Sequence, residues 1–445
     1  MDSHTYMPRK PRQSAHFQLV EDHFEDLECL WDDRYSKKYG NWRNHVAKVI
    51  YEYLGCGDLR NGFARIRCTS CGHEYLLPFT CKRRHFCPSC HARRVIEFGE
   101  FLASEVLSDV PHRQWVFSIP KMLRPWFLHD RRLLGELARI VWKVLSKFIK
   151  TSSTDDLLAE AFPACVIAIQ TFGEHVNFNP HIHVIAADGC FTKDGGFIEA
   201  WAHDTSALNE AFAREVFGLL ADRGLSESRI ETIMSWQHSG FQVYRGSQIL
   251  ATDTEGEIRL AQYIVRCPFA LSRMDYDRGT AQVTYRGKTT GGTKHYTALD
   301  FLARLVVQIP APKEQMVRYL GYYSNKSRGL RKKETGEYSV GIQVTRPKRP
   351  SSKRWAQLIA KVFLDDPLCC PKCQKPMRII SFVDQGDVIA KMLRHLGLWE
   401  DAEESPVAHA PPPFEFEEYC SDDYSQYCSD DYSQLPPTDL VWDAC

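Results

Sequence analysis

At 445 residues, with 44% hydrophobic and 25% charged side chains, the chain has the make-up of a globular protein, and its length predicts two to four domains. No apolar run approaches the roughly 18 residues of a membrane helix, and residues 1–18 are polar and basic without the apolar centre of a secretory leader, so a cytoplasmic protein with no membrane partner is expected. The formal net charge of zero hides an uneven distribution: residues 400–445 hold thirteen acidic residues and no Lys or Arg, which leaves 1–399 at +13 and suits a polyanionic partner.

Residues 1–40 read as a polar lead-in. A helical period in Trp42, Val46, Val49, Ile50 and Tyr53, closed by Gly55-Cys56-Gly57, opens a zinc-binding domain expected over 41–108. Sixteen cysteines in a chain read as cytoplasmic point to metal rather than disulfides. Cys68-Thr69-Ser70-Cys71 and Cys87-Pro88-Ser89-Cys90 are C-x-x-C knuckles with fifteen residues between the inner cysteines. Each tight turn presents two sulfurs, so Cys68, Cys71, Cys87 and Cys90 are predicted to hold one Zn²⁺, with Cys56, Cys81, His73, His85 and His91 as substitutes or members of a second site. Four thiolates leave no open position, which makes such an ion structural. Lys82, Arg83, Arg84, Arg93 and Arg94 around the knuckles suit phosphate contacts, or else form a solvated basic rim.

Residues 109–335 form the next expected domain. A buried strand at 114–119 is followed by an amphipathic helix carrying Leu133, Leu134, Leu137, Ile140, Val141, Val144, Leu145 and Phe148. Two apolar strands, 165–170 and 181–187, then predict a hairpin in an α+β antiparallel sheet with packed helices. In the second strand, Asn179-Pro180-His181-Ile182-His183-Val184 places both imidazoles on one face, a two-histidine claw for a divalent metal. A lone His-x-His is by default a pair of core or surface histidines, so the claw needs support from elsewhere in the chain. Helix over 203–240, strands at 241–244 and 282–286 and a helix at 298–307 complete the domain. Gly287-Lys288-Thr289 is no phosphate loop, because Gln282 stands where that motif requires glycine.

The second chemical stretch, 313–329, contains Arg318-Tyr319-Leu320-Gly321-Tyr322-Tyr323-Ser324-Asn325-Lys326-Ser327-Arg328. A helix starting after Pro312 would stack Tyr319 on Tyr323 at i, i+4. An aromatic core stripe is the ordinary reading of such tyrosines, but Arg318, Lys326 and Arg328 are poor neighbours for a dry core and good ones for phosphate. A basic segment and a carboxy-terminal C-x-x-C subdomain with Cys370 and Cys373 are expected over 336–398, with a helix at 355–363 and a strand at 377–382. One C-x-x-C offers only two thiolates. Residues 399–445, with a tandem Tyr-Cys-Ser-Asp-Asp-Tyr-Ser-Gln, read as a disordered acidic tail.

Together these residues resemble the two-tyrosine HUH transposases of bacterial rolling-circle insertion sequences, the IS ninety-one group. The resemblance runs from about 46 to 382. It is carried by Cys56-Gly57-Asp58-Leu59, Phe86-Cys87-Pro88-Ser89-Cys90, Trp115-Val116-Phe117-Ser118-Ile119-Pro120, Gln170-Thr171-Phe172-Gly173, His181-Ile182-His183, Tyr263-Ile264-Val265-Arg266 and Arg318-Tyr319-Leu320-Gly321-Tyr322-Tyr323. It implies an HUH endonuclease core, with Tyr319 and Tyr323 as nucleophiles, His181 and His183 as metal ligands, and Cys68, Cys71, Cys87 and Cys90 in an amino-terminal zinc-binding domain. It also implies nicking and rejoining of single-stranded DNA at element ends through 5′-phosphotyrosine, with target DNA as the second partner. The family pattern near Cys370 often reads Cys-Pro-x-Cys-Gly-Gly, whereas Gln374-Lys375 follow Cys373 here.

Gln170, on the strand paired with the claw, is the first candidate for a third metal ligand, with Glu174 and His175 behind it. Hard phosphate oxygens favour Mg²⁺ or Mn²⁺ there. The rivals are a non-catalytic zinc-ribbon DNA-binding protein or decayed transposase, and a metallohydrolase of the amidohydrolase type, whose eightfold βα pattern is not evident.

Overall fold

The computed structural model describes residues 11–151, 160–200, 204–236, 239–287, 292–335 and 368–399. The expected helix at 355–363 and the acidic repeat lie outside the described residues.

Within the expected lead-in, the described residues from 11 onward are helical and partly buried. Ser14 caps helix α1 (Ala15–Leu30) by accepting from the Phe17 amide, and Phe17, Leu19, Val20, Phe24 and Leu27 are buried. They share a core with α2 (His45–Leu54) and with Phe301, Leu302 and Leu305 of a later helix. A small antiparallel sheet follows, with β1 (Phe63–Cys68) and β2 (Glu74–Pro78). Its third strand comes from the far end of the chain. α3 (Pro88–Phe101) starts at the second knuckle with Pro88 in its first turn, where the missing N–H costs nothing.

The main sheet is antiparallel, in the order β11-β4-β5-β3-β7 with β6 added to β5. Its strands are β3 (His112–Ser118), β4 (Phe162–Phe172), β5 (Phe178–Phe191), β6 (Phe197–Glu199), β7 (Gln242–Ile249) and β11 (Val317–Gly321). One face carries Trp115, Phe117, Ile167, Ile169, Ile182 and Val184, which pack on α4 (Arg132–Thr151) and α5 (Ser206–Ala221) in the largest core. The other face lies under α3 and α6 (Thr254–Ile264). A second small sheet, β8 (Met274–Asp277), β9 (Gln282–Arg286) and β10 (Thr293–Thr297), leads into α7 (Ala298–Val307). After β11 come α8 (Asn325–Thr335), β12 (Met377–Val383) and α9 (Gly386–His395). β12 pairs antiparallel with β1, so the chain's far end completes the first small sheet.

The expected helix after Pro312 is not formed: residues 317–321 are the edge strand β11, hydrogen-bonded to β4. The reason lies at Gly321, whose φ of +63° cannot continue a right-handed helix. A Cβ there would meet the Pro163 carbonyl oxygen at 1.9 Å. Gly321→Ala is therefore expected to destabilise the protein by about 2 kcal/mol or more, readable as a lowered denaturant midpoint; an unchanged midpoint would mean that this turn relaxes freely.

Candidate functional site

β5 is flanked on both sides, so the claw sits in mid-sheet as the hairpin reading expects. The register fixes what shares its face. Gln170, His181 and Ser118 stand side by side across β4, β5 and β3, and Val317, Ala168, His183 and Val116 form the next row. Tyr319, Val166, Ile185 and Gln114 form the third. Tyr319 therefore lies on the claw's face, two strands away, roughly 10 Å across and 7 Å along the sheet from His183 by ordinary strand spacing. Alternation along β11, and not helical stacking on Tyr323, puts it there.

His181 and His183 are buried, with rings 4.9 Å apart. Burial lowers their pKa to about 4 and about 3, assisted by the Arg266 guanidinium, so both are neutral at pH 7 and able to donate a lone pair. His181 Nδ1 donates to the Asn179 carbonyl at 2.8 Å, which leaves Nε2 as its ligand atom. His183 Nδ1 is 3.1 Å from the Gln114 amide, and its Nε2 is buried without a hydrogen-bond partner. Gln170 donates through Nε2 to the Ile264 carbonyl at 2.7 Å, while its Oε1 is likewise buried and unpartnered. With the Gln114 amide turned so that its Oε1 accepts from His183 Nδ1–H, His183 Nε2 carries a lone pair; it and Gln170 Oε1 are then unpartnered acceptors beside His181 on one face, at about 1–3 kcal/mol each, and fit a cation of borderline-to-hard character. Of the alternatives, Glu174 is exposed in the loop, and the His175 ring lies against Tyr285.

The two tyrosines stand in different surroundings. Tyr319 lines a cleft of about 720 Å³ together with Gln170, Ala168 and Val317. The cleft's walls carry Lys48, Lys82, Arg83, Arg84, Arg94, Arg266 and Lys313. Its one acidic lining residue, Glu314, is paired with Arg131 at 3.0 Å. Tyr323, just past the Gly321 turn, is fully buried, and burial raises its pKa. Its hydroxyl lies 2.8 Å from His112 Nε2 and accepts from the Ser108 amide at 3.3 Å. His112 Nδ1 is 2.9 Å from the buried Glu257 carboxylate, off the axis of the ring N–H. A carboxylate beside Nδ1 favours the proton there and leaves Nε2 to accept from the Tyr323 hydroxyl. His112 and Glu257 were not singled out in the sequence; only a buried histidine on the claw's side of β3 and a carboxylate inside α6 could have signalled them.

The basic residues expected to bind DNA are divided. Arg318 alternates with Tyr319 and reaches the other side of the sheet, where it donates to the Gly135 carbonyl of α4, so it does not line the cleft. The Arg328 guanidinium lies 5.3 Å over the Tyr319 ring, and Lys326 is exposed.

The cysteines group differently from the expected set. Cys56, Cys81, Cys87 and Cys90 form one cluster, and Cys68, Cys71, Cys370 and Cys373 another. In the first, the Sγ separations are 3.9 Å (Cys56–Cys87), 3.9 Å (Cys56–Cys90) and 3.7 Å (Cys81–Cys90). Four sulfurs at the usual zinc bond length of about 2.3 Å stand about 3.8 Å apart, so this cluster fits a tetrahedral zinc. The knuckle at 68–71 is not its neighbour, because β1 carries Cys68 into the small sheet with β12. His85 and His91 are not ligands either: His91 Nδ1 accepts from the His85 amide at 2.9 Å, and its Nε2 lies 2.7 Å from the Val265 carbonyl.

Residues 27–119 match the family described as "Transposase zinc-binding domain", and 165–330 match that described as "Putative transposase". The chain belongs to the transposases these two models describe. It is 26% identical over 360 residues to the transposase for insertion sequence element IS801 of Pseudomonas savastanoi pv. phaseolicola, covering 75% of this chain and 83% of that one. It is also 23% identical over 128 residues to the "Putative transposase y4qJ" of Sinorhizobium fredii (strain NBRC 101917 / NGR234), 29% of this chain and 31% of that one. No solved structure matches. Among the described residues no helix is long and apolar enough to cross a membrane.

Proposed function

We propose that this transposase nicks and rejoins single-stranded DNA at insertion-sequence ends through 5′-phosphotyrosine intermediates, with Tyr319 as the first nucleophile. The observation that carries the reading is the placement of Tyr319 and Gln170 in one basic cleft, on the face that also bears His181 and His183. The Tyr319 phenol oxygen attacks phosphorus, the bond to the 3′ oxygen breaks, and the products are a tyrosyl 5′-phosphate and a free 3′-hydroxyl. The phosphoester energy is kept, so rejoining needs no nucleotide. A Mg²⁺ or Mn²⁺ ion held by His181, His183 and Gln170 would supply Lewis-acid polarisation of a phosphate oxygen. Arg266 and the cleft's other cations orient the backbone, and the Arg328 guanidinium over Tyr319 favours its developing phenolate. Tyr323, with His112 placed to take its proton and Glu257 placed to steady the imidazolium, would serve the second transfer after the segment beyond Gly321 moves. Zn²⁺ at Cys56, Cys81, Cys87 and Cys90 would fix the loop that brings Lys82, Arg83 and Arg84 to the cleft.

The test is incubation of the full chain with labelled single-stranded element ends and Mn²⁺, followed by peptide mapping. A covalent adduct on Tyr319 supports the reading; no adduct with any end overturns it. Placement of the strand in the cleft is tested separately. Replacing Arg84 and Arg94 by Ala is expected to lower the slope of log affinity against log salt by about 0.7 per lost phosphate contact. An unchanged slope would put the strand elsewhere.

A further inference from the structure

We propose that Cys68, Cys71, Cys370 and Cys373 hold a second structural zinc ion, one that the amino-terminal domain cannot build alone because half of its ligands come from the chain's far end.

The observation is a pair of matched knuckles facing each other. Cys68 Sγ lies 3.5 Å from Cys373 Sγ across 305 residues of sequence, and Cys71 Sγ lies 3.5 Å from Cys370 Sγ across 299. All four sulfurs lie within 4.8 Å of one another. A disulfide would bring two sulfurs to about 2.05 Å, so this is the spacing of a shared ion and not of a bond.

The two turns repeat one another atom for atom in their backbone hydrogen bonds. The Gly72 amide donates to the Cys68 carbonyl at 3.1 Å, and the Gln374 amide donates to the Cys370 carbonyl at 2.8 Å. The Cys68 amide donates to His73 at 2.7 Å, and the Cys370 amide donates to Lys375 at 2.9 Å. Each knuckle then closes with a left-handed residue, Gly72 at φ +72° and Gln374 at φ +59°. Gln374 holds that conformation without being glycine, a strain of roughly 1 kcal/mol or more that an isolated turn would relieve and that a bound ion offsets.

One side of the cluster is packed against apolar side chains, while Cys71 is exposed and Cys373 half-buried. Cys68 and Cys370 are buried with Ala64, Ile66 and Met377, and β1 pairs Cys68 directly with Met377 of β12. The zinc therefore locks the β12–α9 unit onto the amino-terminal sheet. The match to the zinc-binding family ends at residue 119, so Cys370 and Cys373 fall outside it.

The test is metal content of the full-length protein after dialysis against a weak chelator. Two zinc ions per chain are expected in the wild type, and one in either Cys370→Ser/Cys373→Ser or Cys68→Ser/Cys71→Ser. Combining both pairs should still leave one, since all four residues serve the same ion. One ion in the wild type, or two in the Cys370→Ser/Cys373→Ser protein, would overturn the proposal. Thiol alkylation of the wild type avoids dependence on the variants' folding. In zinc-replete protein, Cys370 and Cys373 should be protected together with Cys68 and Cys71 while the exposed Cys29 reacts, and a strong chelator should expose the four together. Alkylation of Cys370 and Cys373 with Cys68 and Cys71 still protected would also overturn it.

Discussion

Tyr319→Phe is expected to abolish the covalent adduct, with first-strand nicking down by about a thousandfold or more, while single-strand binding stays within about twofold of wild type. The reasoning rests on shape. Phenylalanine keeps the ring that packs edge-on against Phe101 at 6.5 Å and under the Arg328 guanidinium, and removes only the oxygen that would attack phosphorus. Tyr323→Phe should behave differently. It leaves the cleft untouched, so the first adduct on Tyr319 still forms, and the loss falls on completed transfer of the second strand. It also strips a buried hydrogen-bond partner from His112, which costs about 1–3 kcal/mol of stability and should be visible as a lower denaturant midpoint. The measurement is adduct formation and product distribution for both variants side by side. Normal nicking by Tyr319→Phe, or equal loss of the first adduct in both, would refute the proposed order.

His183→Ala is expected to lower Mn²⁺-supported nicking by more than about a hundredfold, since losing a direct ligand exceeds the 10–100-fold typical of losing a group that merely supports one. Both claw rings are neutral at pH 7 because burial disfavours their charged forms, so no proton must leave before a metal binds. The variant should retain its zinc, since the cysteine clusters lie elsewhere, and the single-strand affinity proposed for the cleft's cations. Gln170→Leu tests the third position: it removes the orphaned Oε1 but also the bond to the Ile264 carbonyl. A selective rise in the Mn²⁺ concentration needed for half-maximal nicking would mark Gln170 as a ligand. A uniform loss at all Mn²⁺ concentrations would mark it as a positioning residue. Undiminished nicking by His183→Ala would remove the claw from the reaction.

Much of the sheet was legible because its strands are long, apolar and buried. The apolar runs at 165–170 and 181–187 lie inside the hairpin of 162–172 and 178–191, the apolar stripe from Leu133 to Phe148 lies inside the 132–151 helix, and the helix at 298–307 is found at those bounds. The segment carrying Tyr319 was misread because residues at i and i+4 share a face in both periods, 3.6 and 2. The arbiter was not local but tertiary: the open edge of β4 offered its backbone groups, and Gly321 had to pass the Pro163 carbonyl. The cysteines were misgrouped for a related reason. Fifteen residues between knuckles is an acceptable spacing, and nothing local reports that β1 pairs with a strand some 300 residues later. Cys56 and Cys81 with the three C-x-x-C pairs make eight thiols, two complete sets of four. For His112 and Glu257 there was no motif, since their meeting depends on α6 lying across the sheet.

The position of β11 has a consequence for traffic through the enzyme. As the outermost strand it is laced to β4 on one flank only, so a polynucleotide esterified to Tyr319 would depart over the rim of the sheet without threading between layers. Loosening five residues on one side is also a smaller disturbance than opening a ladder on both. On the proposed mechanism, Tyr319 on the rim would shift with its cargo while the histidines at the centre stay fixed.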